Sequence, residues 1–293
     1  MTTHSASVAA QRREEVARGL VGRRRELDLV LAAVTAGRDV LLEGPPGTSK
    51  STILRGITAA WGVPFVLVEG NADLTPAKLV GHHNPARVLK EDYSAANFVP
   101  GPLIQAMEAG GFLYIEELNR APEDTLNTLL AAMAERQVAL PRVGTISASG
   151  TFRVLASMNP YDNVGTARIS ASVYDRWCRL ALDYQSADDE AAIVAVRTGS
   201  SDRRLITDAV ALTRAHPDLR RGASVRGAID LVAVAEALAD LDTNGYTTRV
   251  LDAAHLALSA RIAVDETTDT TPEAIITELW ERLRGDGAAT KGA

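Results

Sequence analysis

The sequence predicts an α/β fold: a core built on a parallel five-stranded sheet, followed by a C-terminal all-helical domain. Three observations predict it. Short apolar runs alternate with helical patterns as far as Tyr184. The first of those runs leads into a glycine-rich turn that opens a helix. Beyond Gln185 the strand-like runs stop and Ala- and Leu-rich helical windows take over.

Taken in order, residues 1–18 are polar and charged and are expected to form a flexible arm or a short helix. The strand candidates are "DVLLEG" (Asp39 to Gly44), "PFVLVEG" (Pro64 to Gly70), "GFLYIEE" (Gly111 to Glu117), "FRVLASM" (Phe152 to Met158) and "CRLALDY" (Cys178 to Tyr184). Each is short and mostly apolar, as strands covered on both faces are. Helical patterns between them argue for βα units and a parallel sheet. The clearest helix is "APEDTLNTLLAAMAERQ". Pro122 suits its first turn, and Glu123 and Asp124 suit the positive end of its dipole. Leu126, Leu129, Leu130 and Met133 follow the i, i+3, i+4, i+7 spacing of a buried stripe. Further windows lie around 188–197, 205–215, 225–241, 248–262 and 272–283. The expected division is an arm over 1–18, a core over 19–185, a helical domain over 186–285 and a disordered tail over 286–293.

The 293 residues are 46% apolar and 23% charged, an ordinary globular balance. A net charge of -6 argues against a general duplex-DNA binder, which carries a basic footprint. The single cysteine, Cys178, rules out an intrachain disulfide framework and a cysteine-rich zinc site. Its apolar surroundings predict a buried thiol. No run approaches the ~18 apolar residues of a membrane span, and the N-terminus has no signal-like apolar segment. A cytoplasmic protein is expected. His82-His83 has no third ligand at useful spacing and reads as a loop or hairpin position.

"LLEGPPGTSKS", Leu41 to Ser51, departs from the phosphate-loop pattern G-x-x-x-x-G-K-[ST] at one place, where Ser49 stands for glycine. The strand before it and the helix after it are the context the chemistry needs. The loop Gly44, Pro45, Pro46, Gly47, Thr48 and Ser49 wraps an anion, on which its backbone N–H groups and the helix N-terminus converge. Proline itself supplies no N–H. Lys50 reaches the β- and γ-phosphates, and the Ser51 hydroxyl can ligate Mg²⁺. Gly44 and Gly47 let the backbone turn and approach closely. An αL serine costs about 1 kcal/mol, too little to abolish such a site.

A nucleotide hydrolase also needs carboxylates. Glu116 and Glu117 end the strand "FLYIEE", on the sheet edge that faces the same crevice. Glu116 would hold the Mg²⁺ shell and Glu117 would polarise the attacking water. Asn159, closing "FRVLASMNP", could orient that water or simply make an Asn-Pro turn. Arg176 in "VYDRW" and Arg226 in "GASVRG" could stabilise phosphoryl charge, or could be surface arginines.

Taken together, "VGRRREL", "LLEGPPGTSKS", "FVPGPL", "EELNRAPEDTLNTLLAAMAERQVALP", "FRVLASMNP", "YDRW" and "GASVRG" resemble the MoxR family of AAA+ ATPases, from Val21 to Gly227. "NRAP…LLAAMAERQV" is the most specific of these; the likeness thins over the last sixty or so residues. The resemblance implies a P-loop NTPase (AAA+) core with a helical lid, binding ATP and Mg²⁺. It implies that Val21 and Gly22 border the adenine and that Lys50 and Ser51 are the Walker A lysine and metal ligand. Glu116 takes the place of the Walker B aspartate and Glu117 that of the catalytic glutamate. Asn159 corresponds to sensor 1, Arg176 to an arginine finger acting on a neighbouring subunit, and Arg226 to sensor 2. Two hairpin insertions are implied, in "GHHNPARVLKEDYSAANFVPGPL" and "ALPRVGTISASGTFRV". So are a homo-oligomeric, hexameric ring, a protein client such as a metalloenzyme complex, and a von Willebrand factor A-type partner. Because Glu116 replaces aspartate, a nucleotide-gated scaffold with little turnover is the alternative. A DNA-directed motor is disfavoured by the charge, and a GTPase by the lack of an N-K-x-D motif.

Overall fold

The computed structural model describes residues 3–91, 93–160, 171–213, 216–241 and 245–289. It divides into two units, Met1–Asp183 and Tyr184–Ala293.

The first unit opens with α1 (Thr3–Ala17) and α2 (Arg24–Thr35), followed by β1 (Val40–Glu43), α3 (Lys50–Trp61) and β2 (Phe65–Glu69). An insertion follows: α4 (Pro76–Val80), β3 (Gly81–His83), α5 (Pro85–Glu91) and β4 (Phe98–Pro100). Then come α6 (Pro102–Ala109), β5 (Phe112–Glu116), α7 (Glu123–Glu135), β6 (Gln137–Leu140), β7 (Gly144–Ser147), β8 (Arg153–Met158), α8 (Ala171–Tyr174) and β9 (Cys178–Ala181). The expected five strands form one sheet in the order β2-β5-β8-β1-β9, with every pairing parallel. β3 pairs with β4, and β6 with β7, as antiparallel hairpins, so both implied insertions are present.

Alternation along the strands explains their apolar character. Val40, Leu42, Phe112, Tyr114 and Leu155 face a core shared with α2 and α3. Leu41, Leu113, Ile115, Val154 and Ala156 face the other core, with α6 and α7. A central strand buried on both faces loses the apolar-polar alternation of a half-exposed one. The predicted stripe of Leu126, Leu129, Leu130 and Met133 on α7 is buried in that second core.

The expected arm is helix α1, and it is anchored rather than loose. Val16 is buried among α2 and α3 side chains, Arg12 lies 4.1 Å over the Trp61 ring, and Arg13 pairs with Asp28. Cys178 is exposed, which corrects the expectation of a buried thiol. It begins β9, which stands at one edge of the sheet, with a neighbouring strand on one side only among the described residues.

At the N-terminal edge of the sheet, buried Asp39 accepts hydrogen bonds from the Val154 N–H at 2.8 Å and from Arg136 at 2.5 Å. Burial raises the Asp39 carboxyl above its ordinary range, against the opposing pull of those donors. Arg136 follows α7 in the left-handed region, φ 50°, so this pair fastens the end of α7 beneath β1 and β8.

The second unit holds α9 (Ala187–Thr198), α10 (Arg203–Leu212), α11 (Val225–Leu241), α12 (Tyr246–Leu258) and α13 (Pro272–Ala289) around one apolar core. Ser186 and Asp202 cap α9 and α10, accepting from the N–H groups of Asp189 and Leu205. The unit is not all-helical: β10 (Leu219–Arg221) and β11 (Ala263–Val264) form a small antiparallel ribbon. Segments this short carry no readable periodicity. Helix α13 continues to Ala289, into the stretch expected as tail; residues 290–293 lie outside the described residues. Among the described residues, no helix is long and apolar enough to cross a membrane.

Candidate nucleotide site

The loop from Gly44 to Ser49 joins β1 to α3. Gly44 has φ 153°, Gly47 φ 80° and Ser49 φ 67°. The Ser49 position therefore takes the left-handed conformation that favours glycine, and serine pays about 1 kcal/mol to adopt it. Gly44 is more demanding. A Cβ there would stand 2.1 Å from the Leu182 carbonyl oxygen, so no side chain fits without moving the chain after β9. Thr48 is buried and donates to the Pro45 carbonyl at 2.9 Å. The Lys50 ammonium donates to the Gly44 and Pro45 carbonyls, each at 2.7 Å, and so lies against the loop it follows.

Ser51 sits on the first turn of α3, beside the C-terminal end of β5. There the Tyr114 hydroxyl donates to Glu116 Oε1 at 2.8 Å and lies 3.2 Å from Ser157 Oγ, near the Ser51 side chain. Burial above all pushes the Tyr114 phenol up to about 12, so it remains protonated at neutral pH. Arg55, one turn along α3, approaches Glu116 Oε2 at 3.7 Å. The structure thus brings Lys50, Ser51 and Glu116 to one end of the sheet.

Glu117 follows in the left-handed region, φ 52°, and pairs with Arg120 at 3.0 Å. Its backbone is braced by Gly70, whose N–H donates to the Glu116 carbonyl at 2.7 Å; a Cβ on Gly70 would meet the Glu117 carbonyl oxygen at 2.3 Å. Asn159 follows β8, next to β5 in the sheet, and its carbonyl accepts from buried Asn119 at 3.0 Å. The acid pair and Asn159 therefore share one edge.

Val21 and Gly22 lie in the turn before α2, with Gly22 at φ 66°. The adjacent Arg23 is itself left-handed and tucks its guanidinium against Glu26, at 3.1 Å, and the Asp183 carbonyl. Arg176 is exposed, in the turn between α8 and β9. Cys178 pairs with Val40 at the start of β1, so Arg176 lies at the N-terminal end of the strands, roughly 13 Å of strand away from the loop at their C-terminal end. The structure does not bring it to the loop of its own chain. Arg226 belongs to the second unit, exposed on the first turn of α11, its carbonyl accepting from Arg261 at 3.2 Å.

Glu43, the last residue of β1, is buried and pairs with Arg179 on β9. It also bonds to the Tyr174 hydroxyl, and burial raises that phenol. Sequence reasoning missed Tyr114, Asn119, Gly70 and the Glu43 contacts. Tyr114 had a signal: it stands two residues before Glu116, hence on the same face of the strand.

The donor chemistry suits a magnesium-nucleotide pair. Ser51 and Glu116 offer hard oxygen donors at the base of an anion-binding loop, and Mg²⁺ is ordinarily held by one or two such groups plus phosphate.

Comparison with known proteins agrees with this geometry. Residues 39–177 match the AAA domain of the dynein-related subfamily. The chain is 32% identical to Protein MoxR of Methylorubrum extorquens, over 60% of this chain and 50% of that protein. It is 27% identical to Chaperone MoxR1 of Mycobacterium tuberculosis, over 61% and 45%, so it spans about half the length of these two relatives. To the gas vesicle ATPase GvpN of Ancylobacter aquaticus it is 27% identical, over 79% of this chain and 70% of that protein. Its fold resembles the RuvB Holliday junction branch migration motor of Thermotoga maritima, with a TM-score of 0.54 at 18% identity, covering 80% of this chain and 70% of that one. Together these likenesses support a MoxR-family AAA+ ATPase.

Proposed function

We propose that the chain binds ATP with Mg²⁺, hydrolyses it, and uses the cycle to remodel or activate a protein client. The observation that carries this reading is that the first turns of α3, through Arg55, meet Glu116 at 3.7 Å beside the loop that Lys50 follows. Lys50 neutralises phosphate charge, and Ser51 with Glu116 would hold the metal, which would supply further charge neutralisation. Glu117 orients and polarises the attacking water, and Asn159 positions it from the neighbouring strand. Arg226 is the sensor 2 arginine of the lid.

Arg176 serves the site of an adjacent subunit. Its place at the far end of the sheet from its own loop supports action in trans, and with it a ring, read as a hexamer. A cytoplasmic setting, a metalloenzyme-type client and a von Willebrand factor A-type partner belong to the same reading. They rest on the sequence resemblance to the MoxR family rather than on any feature of the site.

The test is phosphate release by wild type and Glu117→Gln. Wild type should turn over and the variant should lose most of the rate; equal rates overturn the hydrolase reading. A second reading, a nucleotide-gated scaffold with little turnover, is favoured by the Glu117–Arg120 ion pair, which engages the carboxylate that would polarise water. Under that reading wild type binds ADP and ATP but releases phosphate no faster than Glu117→Gln.

A further inference from the structure

We propose that Tyr114 is a positioning residue for the metal site: its hydroxyl holds the Glu116 carboxylate toward Ser51, so that a glutamate can serve at a position where the family uses the shorter aspartate. The inference rests on the reading of Ser51 and Glu116 as the metal side of the nucleotide site.

The geometry is specific. Tyr114 and Glu116 are two apart on β5 and share the face that looks toward α3. The Tyr114 ring is fully buried, packed in the core that includes Phe112 and Leu42 and 5.9 Å from the Phe65 ring. A tyrosine with its ring so enclosed delivers its hydroxyl to one place. That hydroxyl meets two oxygens, those of Glu116 and Ser157, close to the Ser51 side chain.

Proton counting fixes the roles. A phenol has one proton to give and two lone pairs to accept with. The Glu116 carboxylate can only accept, so Tyr114 donates to it. Ser157 must then donate to Tyr114. The single phenol proton stays committed to the carboxylate and aims one of its oxygens.

The arrangement also answers the length problem. Glutamate has one more rotatable bond than aspartate and more rotamer freedom to lose when fixed. Tyr114 holds one carboxylate oxygen, and Arg55 approaches the other at 3.7 Å. An aspartate at 116, one carbon shorter, would draw its oxygens away from this hydroxyl and depend on it less.

The experiment measures ADP affinity by calorimetry, with excess EDTA and with MgCl₂, for wild type, Tyr114→Phe, Glu116→Asp and the double variant. Melting curves and near-UV circular dichroism check the fold. Tyr114→Phe keeps the ring and removes only the hydroxyl. Its EDTA affinity should match wild type, while the gain from Mg²⁺ should shrink about tenfold, as for loss of one hydrogen bond to a charged group. In the Glu116→Asp background the same loss should fall below about twofold, the coupling expected of partners in direct contact.

A full Mg²⁺ gain in Tyr114→Phe overturns the proposal, as does an equal loss in both backgrounds, which would mark a general packing effect. Ser157→Ala removes a hydroxyl from the same buried network without touching the carboxylate. It should keep the wild-type gain; a loss as large as that of Tyr114→Phe also counts against a specific role. A wild-type protein whose ADP affinity is indifferent to Mg²⁺ instead removes the metal-site reading, and this inference with it.

Discussion

Val40 and Cys178 stand side by side where β1 and β9 begin, and this pairing puts Arg176 and Lys50 at opposite ends of the sheet. The proposed role for Arg176 is therefore at the site of a neighbouring subunit. Arg176→Ala should therefore bind ADP like wild type, yet lose hydrolysis by on the order of 10³, the scale of an arginine acting on a transferring phosphoryl group. Mixing Arg176→Ala subunits with Lys50→Ala subunits should restore phosphate release, because each supplies what the other lacks. No gain over either variant alone would remove the trans assignment.

Lys50→Ala should weaken nucleotide binding itself. Its ammonium already makes two 2.7 Å bonds to the loop carbonyls, so the group is held at the mouth of the anion site. Loss of a charge-assisted contact is worth about 1.5–3 kcal/mol, or roughly 10- to 100-fold in Kd. Titration with a fluorescent ADP checks it, and an unchanged Kd would exclude this loop as the phosphate site.

Ser49→Gly and Gly44→Ala should move stability in opposite directions. The first releases left-handed strain of about 1–2 kcal/mol, less the added chain entropy of glycine, about 0.5–1 kcal/mol. A small net gain in thermal stability is expected. The second drives a Cβ into the Leu182 carbonyl and should cost about 1–3 kcal/mol, as overpacking does. Urea unfolding of the two variants beside wild type reads both signs.

Arg136→Ala should destabilise the fold without touching the nucleotide site. It strips the buried Asp39 carboxylate of its ion pair and should cost about 1–3 kcal/mol, the penalty for a buried group left short of a partner. Asp39 lies at the opposite end of β1 from the loop, so ADP affinity should stay at the wild-type value. A matching fall in affinity would contradict this division of labour.

Much of the first unit was legible because burial on both faces makes each sheet strand an unbroken apolar run. "DVLLEG" and "GFLYIEE" stand out for that reason, and the polar residues that end them are the ones the strands carry to the crevice. The α7 stripe was legible for the complementary reason, since one helical face alone is buried. Strand order was not legible, because an apolar run does not name its neighbours. Without that order the edge position of β9 stayed hidden, and with it the exposure of Cys178 and the distance of Arg176 from Lys50. Asp39–Arg136 and Tyr114–Ser157 join residues far apart in the chain, which no local pattern reports. Tyr114 was concealed further by its ring, which reads as one more apolar residue of a strand while its hydroxyl does polar work.

Gly44 and Arg23 have a joint consequence for how the first unit ends. Backbone of the glycine fits against the Leu182 carbonyl, and the arginine grips the carbonyl of Asp183, the next residue and the last of the unit. The point at which the chain departs is therefore clamped between the loop expected to meet phosphate and the turn expected to meet adenine. Movement of the loop or of the turn must therefore displace Leu182 or Asp183, the last residues of the first unit.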